Sequence, residues 1–166
     1  MNTLIHTLFF FFILTRICFT QGIWTKIGDM PEIRYAHSAD EINGKVYIAG
    51  GYNTEQGPYP ATMLIYDRTS STWTTTPLPE NLVRAWHTSC VVGSNLYLIG
   101  GLILQGTAWN STNEVYMFNT NTGEWTQKNP MPTDRLNLFC ALIDNKIFAT
   151  SSAICSLFIN VFSFMI

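Results

Sequence analysis

The chain has 166 residues, with nine Lys and Arg against eleven Asp and Glu and a formal net charge of −2. That is enough for one modest domain and the wrong charge balance for a polyanion binder, so nucleic acid is not an expected partner. Apart from Arg16, every charge lies between Lys26 and Lys146, which leaves both ends apolar and divides the chain into three segments suited to different surroundings.

Residues 8–14 read Leu-Phe-Phe-Phe-Phe-Ile-Leu, far short of the roughly 20 residues that span a bilayer but right for the core of a secretory signal. Cys18 and Thr20 place small residues where a signal peptidase inspects the chain. Residues 1–20 are therefore expected to be a signal peptide, cleaved before Gln21, and the protein to be secreted. No basic residue precedes the run and Arg16 follows it, so an uncleaved anchor is the alternative.

Beyond the leader the chain repeats itself at a spacing of 49–52 residues. Trp24, Trp73 and Trp125 each open a Trp-Thr pair, a Met-Pro or Leu-Pro pair follows, and Arg34, Arg84 and Arg135 come next. Two β-rich runs separated by turn residues then end in Gly50-Gly51 and in Gly100-Gly101. Each repeat closes with an aromatic-Asp or aromatic-Asn pair, Tyr66-Asp67 and Phe118-Asn119, and a turn into the next Trp strand. The units are residues 21–73, 74–125 and an incomplete 126–149, followed by an apolar tail at 150–166.

This pattern resembles the kelch repeat, on the strength of the glycine pair after a β-run, the aromatic-Asp/Asn pair and the Trp seven residues after that aromatic. The likeness covers residues 24–146. It implies an all-β fold, a partial kelch-type β-propeller of four-stranded antiparallel blades preceded by the signal peptide. The strands carry apolar β-formers because neighbouring blades bury both faces. The glycines end them where a side chain would block close approach or a positive φ, and Trp24, Trp73 and Trp125 are expected to wedge between blades. In the third unit Ser151 and Ser152 replace the glycine pair and the pattern stops. Two and a half units cannot close a ring of 4 to 8 blades. The exposed blade edges then invite self-association, and the tail reads as a splice or gene-model ending. Residues 147–166 carry no charge; a membrane is a partner only if that tail is an anchor.

Candidate sites follow from the same alignment. His37 and His87 occupy matching places, where the kelch likeness implies structural hydrogen bonding; no metal and no cofactor are expected. Cys140 aligns with Ser89 rather than with Cys90, so the two thiols are expected to point to opposite sides of equivalent strands and to stay unpaired, as buried small side chains. Asn110-Ser111-Thr112 is a glycosylation sequon in the long loop after the second glycine pair. Arg34, Arg84 and Arg135, one per blade, would form a ring suited to carboxylates, or else bridge neighbouring blades. The loops at 52–62 and 102–112 differ while the strands around them repeat, so Tyr52, Tyr59 and Trp109 offer aromatic surface for peptides or sugars. The expected function is that of a secreted, non-enzymatic module binding a protein or glycan ligand. The alternatives are a fragment of a sugar-processing kelch enzyme of mutarotase or copper-oxidase type, using Glu41, Glu114 or the arginines, and an inactive truncated product.

Overall fold

The computed structural model describes residues 22–53, 60–105, 108–151 and 161–165. The leader, Tyr59, Cys18 and Cys155 lie outside them. Residues 1–30 and 31–166 are separate compact units. In the described part of the first, Trp24 is fully exposed and Lys26 pairs with Asp29 at 2.8 Å.

The second unit is built of antiparallel sheets. The first holds β1 (Ser38–Ile42), β2 (Lys45–Ala49), β3 (Thr62–Asp67) and β4 (Thr72–Pro77), in that order. After a 3-10 turn at Glu80–Leu82 come β5 (Arg84–Ala85), β6 (Thr88–Val92), β7 (Asn95–Ile99), β8 (Leu102–Gln105), β9 (Ala108–Ser111), β10 (Val115–Asn119) and β11 (Glu124–Lys128). Strands β6, β7, β10 and β11 form the second four-stranded sheet. The third holds β12 (Leu138–Ile143), β13 (Lys146–Ser151) and β14 (Val161–Met165). Two departures from the sequence reading stand out. Residues 102–112, expected to be a loop, contain the hairpin β8–β9, which pairs with β5 as a small extra sheet. The tail, expected to lie outside the repeat, contributes β14 as the third strand of the last sheet. Among the described residues no helix is long and apolar enough to cross a membrane.

Local chemistry sets these elements. Asn43 and Gly44 both have positive φ, of 53° and 81°, which gives the tight β1–β2 hairpin the twist its strands require. The aromatic-Asp/Asn motif is a turn device: Asp67 accepts from the Thr69 and Ser70 amides, and Asn119 from those of Asn121 and Thr122. These turns set Trp73 opposite Tyr66 and Trp125 opposite Phe118, with ring centroids 4.9 and 4.8 Å apart. Trp73 and Trp125 thus stack on the adjacent strand of their own sheet, and Trp125 also flanks the core between the first two sheets.

That core alternates by residue. Leu96 and Leu98 of β7 face the first sheet, against Tyr47, Ala49 and Met63; Tyr97 and Ile99 face the third, against Leu138, Ile147 and Ala149. Leu96 and Leu98 are fully buried, worth about 2 kcal/mol each. On the opposite face of the third sheet Phe139 and Ile143 are exposed.

The strands that approach one another between sheets are β1, β6 and β12, and their register brings into contact the two cysteines that were expected to stay unpaired. Asp40 and Cys90 sit opposite Tyr47 and Tyr97 at one repeat position, whereas Ser89 and Cys140 sit opposite Leu98 and Ala149 at the other. Facing opposite ways on successive sheets means meeting across the gap between them. Ser89 accordingly donates to the Asp40 carboxylate at the first interface, and Cys140 meets Cys90 at the second, both as free thiols.

The glycine pairs join one sheet to the next. The Gly51 amide donates to the Arg84 carbonyl at 2.8 Å and the Gly101 amide to that of Arg135 at 2.7 Å. A β-carbon on Gly50, whose φ is +61°, would lie 2.3 Å from the Arg84 carbonyl oxygen. Gly123, at φ +75°, would meet nothing within 4 Å. Gly50→Ala is therefore expected to lose more than about 3 kcal/mol in urea unfolding, and Gly123→Ala only about 1 kcal/mol. Equal losses would mean that the joint is not tight.

Candidate functional site

Ahead of β1, β6 and β12, one residue takes a left-handed backbone: Ala36 at φ 53°, Trp86 at φ 53° and Asn137 at φ 52°. For residues with a β-carbon this conformation is strained, yet it recurs ahead of all three strands. The three lead-in segments are linked in series, the Trp86 amide donating to the Ala36 carbonyl at 3.0 Å and the Asn137 amide to that of Trp86 at 2.8 Å. Strained backbone that the surroundings hold in place points to a functional surface.

On this side a groove of about 370 Å³ is lined by Ala36, His37, Trp86, His87, Asn137, Leu138 and Phe139. Trp86 is 37% exposed and its ring centroid lies 6.4 Å from that of Tyr52. Tyr52 is fixed by reciprocal amide–carbonyl bonds to Tyr35, both 2.8 Å, and Tyr35 is itself exposed. The His37 Nδ1–H donates to the Arg34 carbonyl at 3.2 Å, and burial lowers its pKa below the ordinary value. His87 Nε2 is hydrogen-bonded to the Ser38 hydroxyl at 2.9 Å. Burial, followed by the Arg84 charge, pulls the His87 pKa down to about 3. Both rings are neutral at pH 7, and among the described residues no Asp, Glu, Lys or Arg lines the groove.

The arginines stand elsewhere. Arg34, Arg84 and Arg135 are buried. Arg34 donates to the Gly50 and Thr62 carbonyls and to Glu32; Arg84 to the Gly100 and Asn81 carbonyls and to Glu114, with its guanidinium 5.2 Å from the Tyr116 ring centre. Arg135 donates to the Thr133 and Ser151 hydroxyls. Their side chains form no open ring, because each guanidinium reaches the residue 16 positions ahead, while the backbone carbonyls of Arg84 and Arg135 join neighbouring sheets by accepting from Gly51 and Gly101. Glu114 is held by Arg84 at 3.2 Å, and Glu41 accepts from the Gly44 amide. Trp109 lies across from Leu104 on the β8–β9 hairpin, both more than 40% exposed, and Asn110 is exposed beside it. Among the described residues no group of three His, Cys, Asp or Glu could hold a metal.

Sequence reasoning picked out Tyr52 and gave His37 and His87 a structural role, but passed over Trp86, Asn137 and Phe139 as site residues. The signal that was there is Trp86 itself, an aromatic residue where the first repeat has Ala36.

Residues 10–152 match the family model described as the KLHDC2/KLHL20/DRC7 Kelch-repeats domain. Kelch-like protein 36 of Rattus norvegicus is 35% identical over 47% of this chain and 13% of its own length. Kelch domain-containing protein 3 of Homo sapiens is 30% identical over 63% of this chain and 29% of its own. The solved structure of YjhT, a kelch β-propeller, superposes with a TM-score of 0.64 at 20% identity, over 75% of this chain and 36% of that one. The chain thus spans under a third of those two relatives.

The histidine environment has a measurable consequence. With a folded pKa of about 3 against 6.5 for the free side chain, His87 is protonated in the unfolded chain first as pH falls. Its contribution is complete above pH 6.5 and is lost on acidification by about 1.4 kcal/mol per unit. The stability of wild type relative to His87→Gln, from urea unfolding, is expected to fall by up to about 3 kcal/mol between pH 7 and pH 4. A difference independent of pH would place His87 in water.

Proposed function

This chain belongs to the kelch-repeat family, whose domains generally mediate protein interactions, and from that premise we propose that it is an exported protein-binding module. Its contact surface is the groove at the lead-in segments. The observation that carries this reading is the repeated left-handed residue of Ala36, Trp86 and Asn137, which holds Trp86 at the surface against its own conformational preference. Tryptophan in a partly enclosed site is the side chain most often found to dominate binding energy.

The chemistry of the lining selects the ligand. With both imidazoles neutral and the arginines buried, the groove suits an uncharged segment with an aromatic or aliphatic side chain. Asn137 and His37 stand ready to bond its backbone. A carboxylate would lose water there without gaining a cation. The apolar run at residues 8–14 supports export, and Trp109 on its hairpin supports a second, glycan-directed surface.

Selection of a phage-displayed peptide library on the full chain is expected to enrich apolar and aromatic sequences. Their affinity should drop at least about 10-fold in Trp86→Ala and stay within about 2-fold in Trp109→Ala. Alanine already occupies the matching position in the first repeat, so Trp86→Ala is expected to fold. Enrichment of acidic peptides indifferent to position 86 would reject the groove.

Export has its own check. Protein recovered from the medium of eukaryotic cells is expected to begin at Gln21 and to lose mass on glycosidase treatment, with no loss in Asn110→Gln. An intact leader in the recovered chain would exclude cleavage.

A further inference from the structure

The second and third sheets meet at a pair of thiols that the mechanism of binding does not use. The position is defined by the fold independently of the sulfur atoms. At the preceding interface, the residues in the same two register positions are Asp40 and Ser89, whose side chains are in direct hydrogen bond. One repeat later the geometry recurs with Cys90 in place of Asp40 and Cys140 in place of Ser89. The sulfur of Cys140 lies 2.6 Å from the Ser89 carbonyl oxygen, the residue beside Cys90, and 3.5 Å from the Thr88 hydroxyl. Each thiol is the other's foremost side-chain partner.

We propose that Cys90 and Cys140 form a reversible disulfide that ties the second sheet to the third, closed by exchange with an oxidised low-molecular-weight thiol such as glutathione disulfide. Cys140 is half-buried and Cys90 is 7% exposed, so Cys140 meets the oxidant. Its thiolate attacks one sulfur of the oxidant, whose S–S bond breaks, and the first glutathione thiolate leaves and takes up a proton. Cys90 then gives up its proton and attacks the Cys140 sulfur of the mixed disulfide, expelling the second glutathione, which takes up that proton. Two protein thiols are oxidised by two electrons and one glutathione disulfide is reduced to two thiols.

The Ser89 carbonyl, to which the Cys140 thiol donates, favours the protonated sulfur, and two other neighbours favour the thiolate. The Cys90 thiol, helped by the Thr88 hydroxyl, draws the Cys140 pKa down to about 7 against burial and the charge of Asp40. Cys90 is pushed up by its neighbour Cys140 and by burial. The nearest residue to Cys140 in the chain, Phe139, lines the groove, so the bond would also fix one wall of it.

The test uses the full chain equilibrated with graded ratios of reduced to oxidised glutathione, trapped by alkylation and mapped by mass spectrometry. The expected product is a Cys90–Cys140 linked peptide pair that reverts on reduction, accompanied by a rise of several degrees in the unfolding midpoint. In Cys90→Ser, Cys140 should accumulate as the glutathione mixed disulfide; in Cys140→Ser, Cys90 should stay reduced. A chain carrying Asp40→Cys and Ser89→Cys together with Cys90→Ser and Cys140→Ser should cross-link at the first interface. Free, alkylatable Cys90 and Cys140 under excess oxidant would overturn the proposal, as would pairing of either with Cys18 or Cys155.

Discussion

The fold depends on how closely one sheet can approach the next, and that distance is set at the glycine pairs. At Gly50 and Gly100 a β-carbon would stand 2.3 and 2.7 Å from the carbonyl oxygens of Arg84 and Arg135. The following glycine of each pair donates its amide to that same carbonyl. One residue removes the steric bulk and its neighbour supplies the bond, so the lead-in segment of each sheet is clamped to the strand end of the sheet before it. The same contact positions the left-handed residues that open the groove.

From that clamp the apolar cores follow by alternation. Because β7 is covered on both faces, Leu96 and Leu98 serve one interface while Tyr97 and Ile99 serve the other. Burial of both faces also explains why the inner strands read as continuous apolar runs and why the outermost, β4 and β11, carry Thr, Gln and Lys. The stacked Trp73 and Trp125 cap the outer edge over Tyr66 and Phe118.

Strands, hairpin turns and sheet sequence were legible because each is written in a few adjacent residues: period-two apolar runs, Asn43-Gly44, the glycine pair, the aromatic-Asp turn. What escaped the sequence is information about how sheets stack. Cys90 and Cys140 were correctly placed in opposite register, but only the handedness of stacking turns opposite faces into a contact. The β8–β9 hairpin was hidden because the segment differs in sequence from the one it aligns with, and without a shared pattern a pair of strands looks like a loop. The arginines misled for a related reason. A charge recurring once per repeat suggests a ring, yet a guanidinium has five donors, and here they are directed to backbone carbonyls and neighbouring side chains, one of them 16 residues ahead in each case. The groove lay beyond reach because it joins residues from three lead-in segments that share a backbone conformation rather than a residue type.

The third unit shows how the device tolerates a change of residue. Where Arg34 and Arg84 donate to the carbonyls of Gly50 and Gly100, Arg135 donates to the hydroxyl of Ser151 at 2.8 Å, again 16 residues on. Ser151 is buried, so its hydroxyl must have a partner, and Arg135 provides one. The acceptor has moved from backbone to side chain while the span and the donor have stayed in place. A repeat of this kind therefore specifies distances and hydrogen-bond directions more strictly than residue identities. The same latitude allows a carboxylate and a hydroxyl at one interface to be replaced by two thiols at the next.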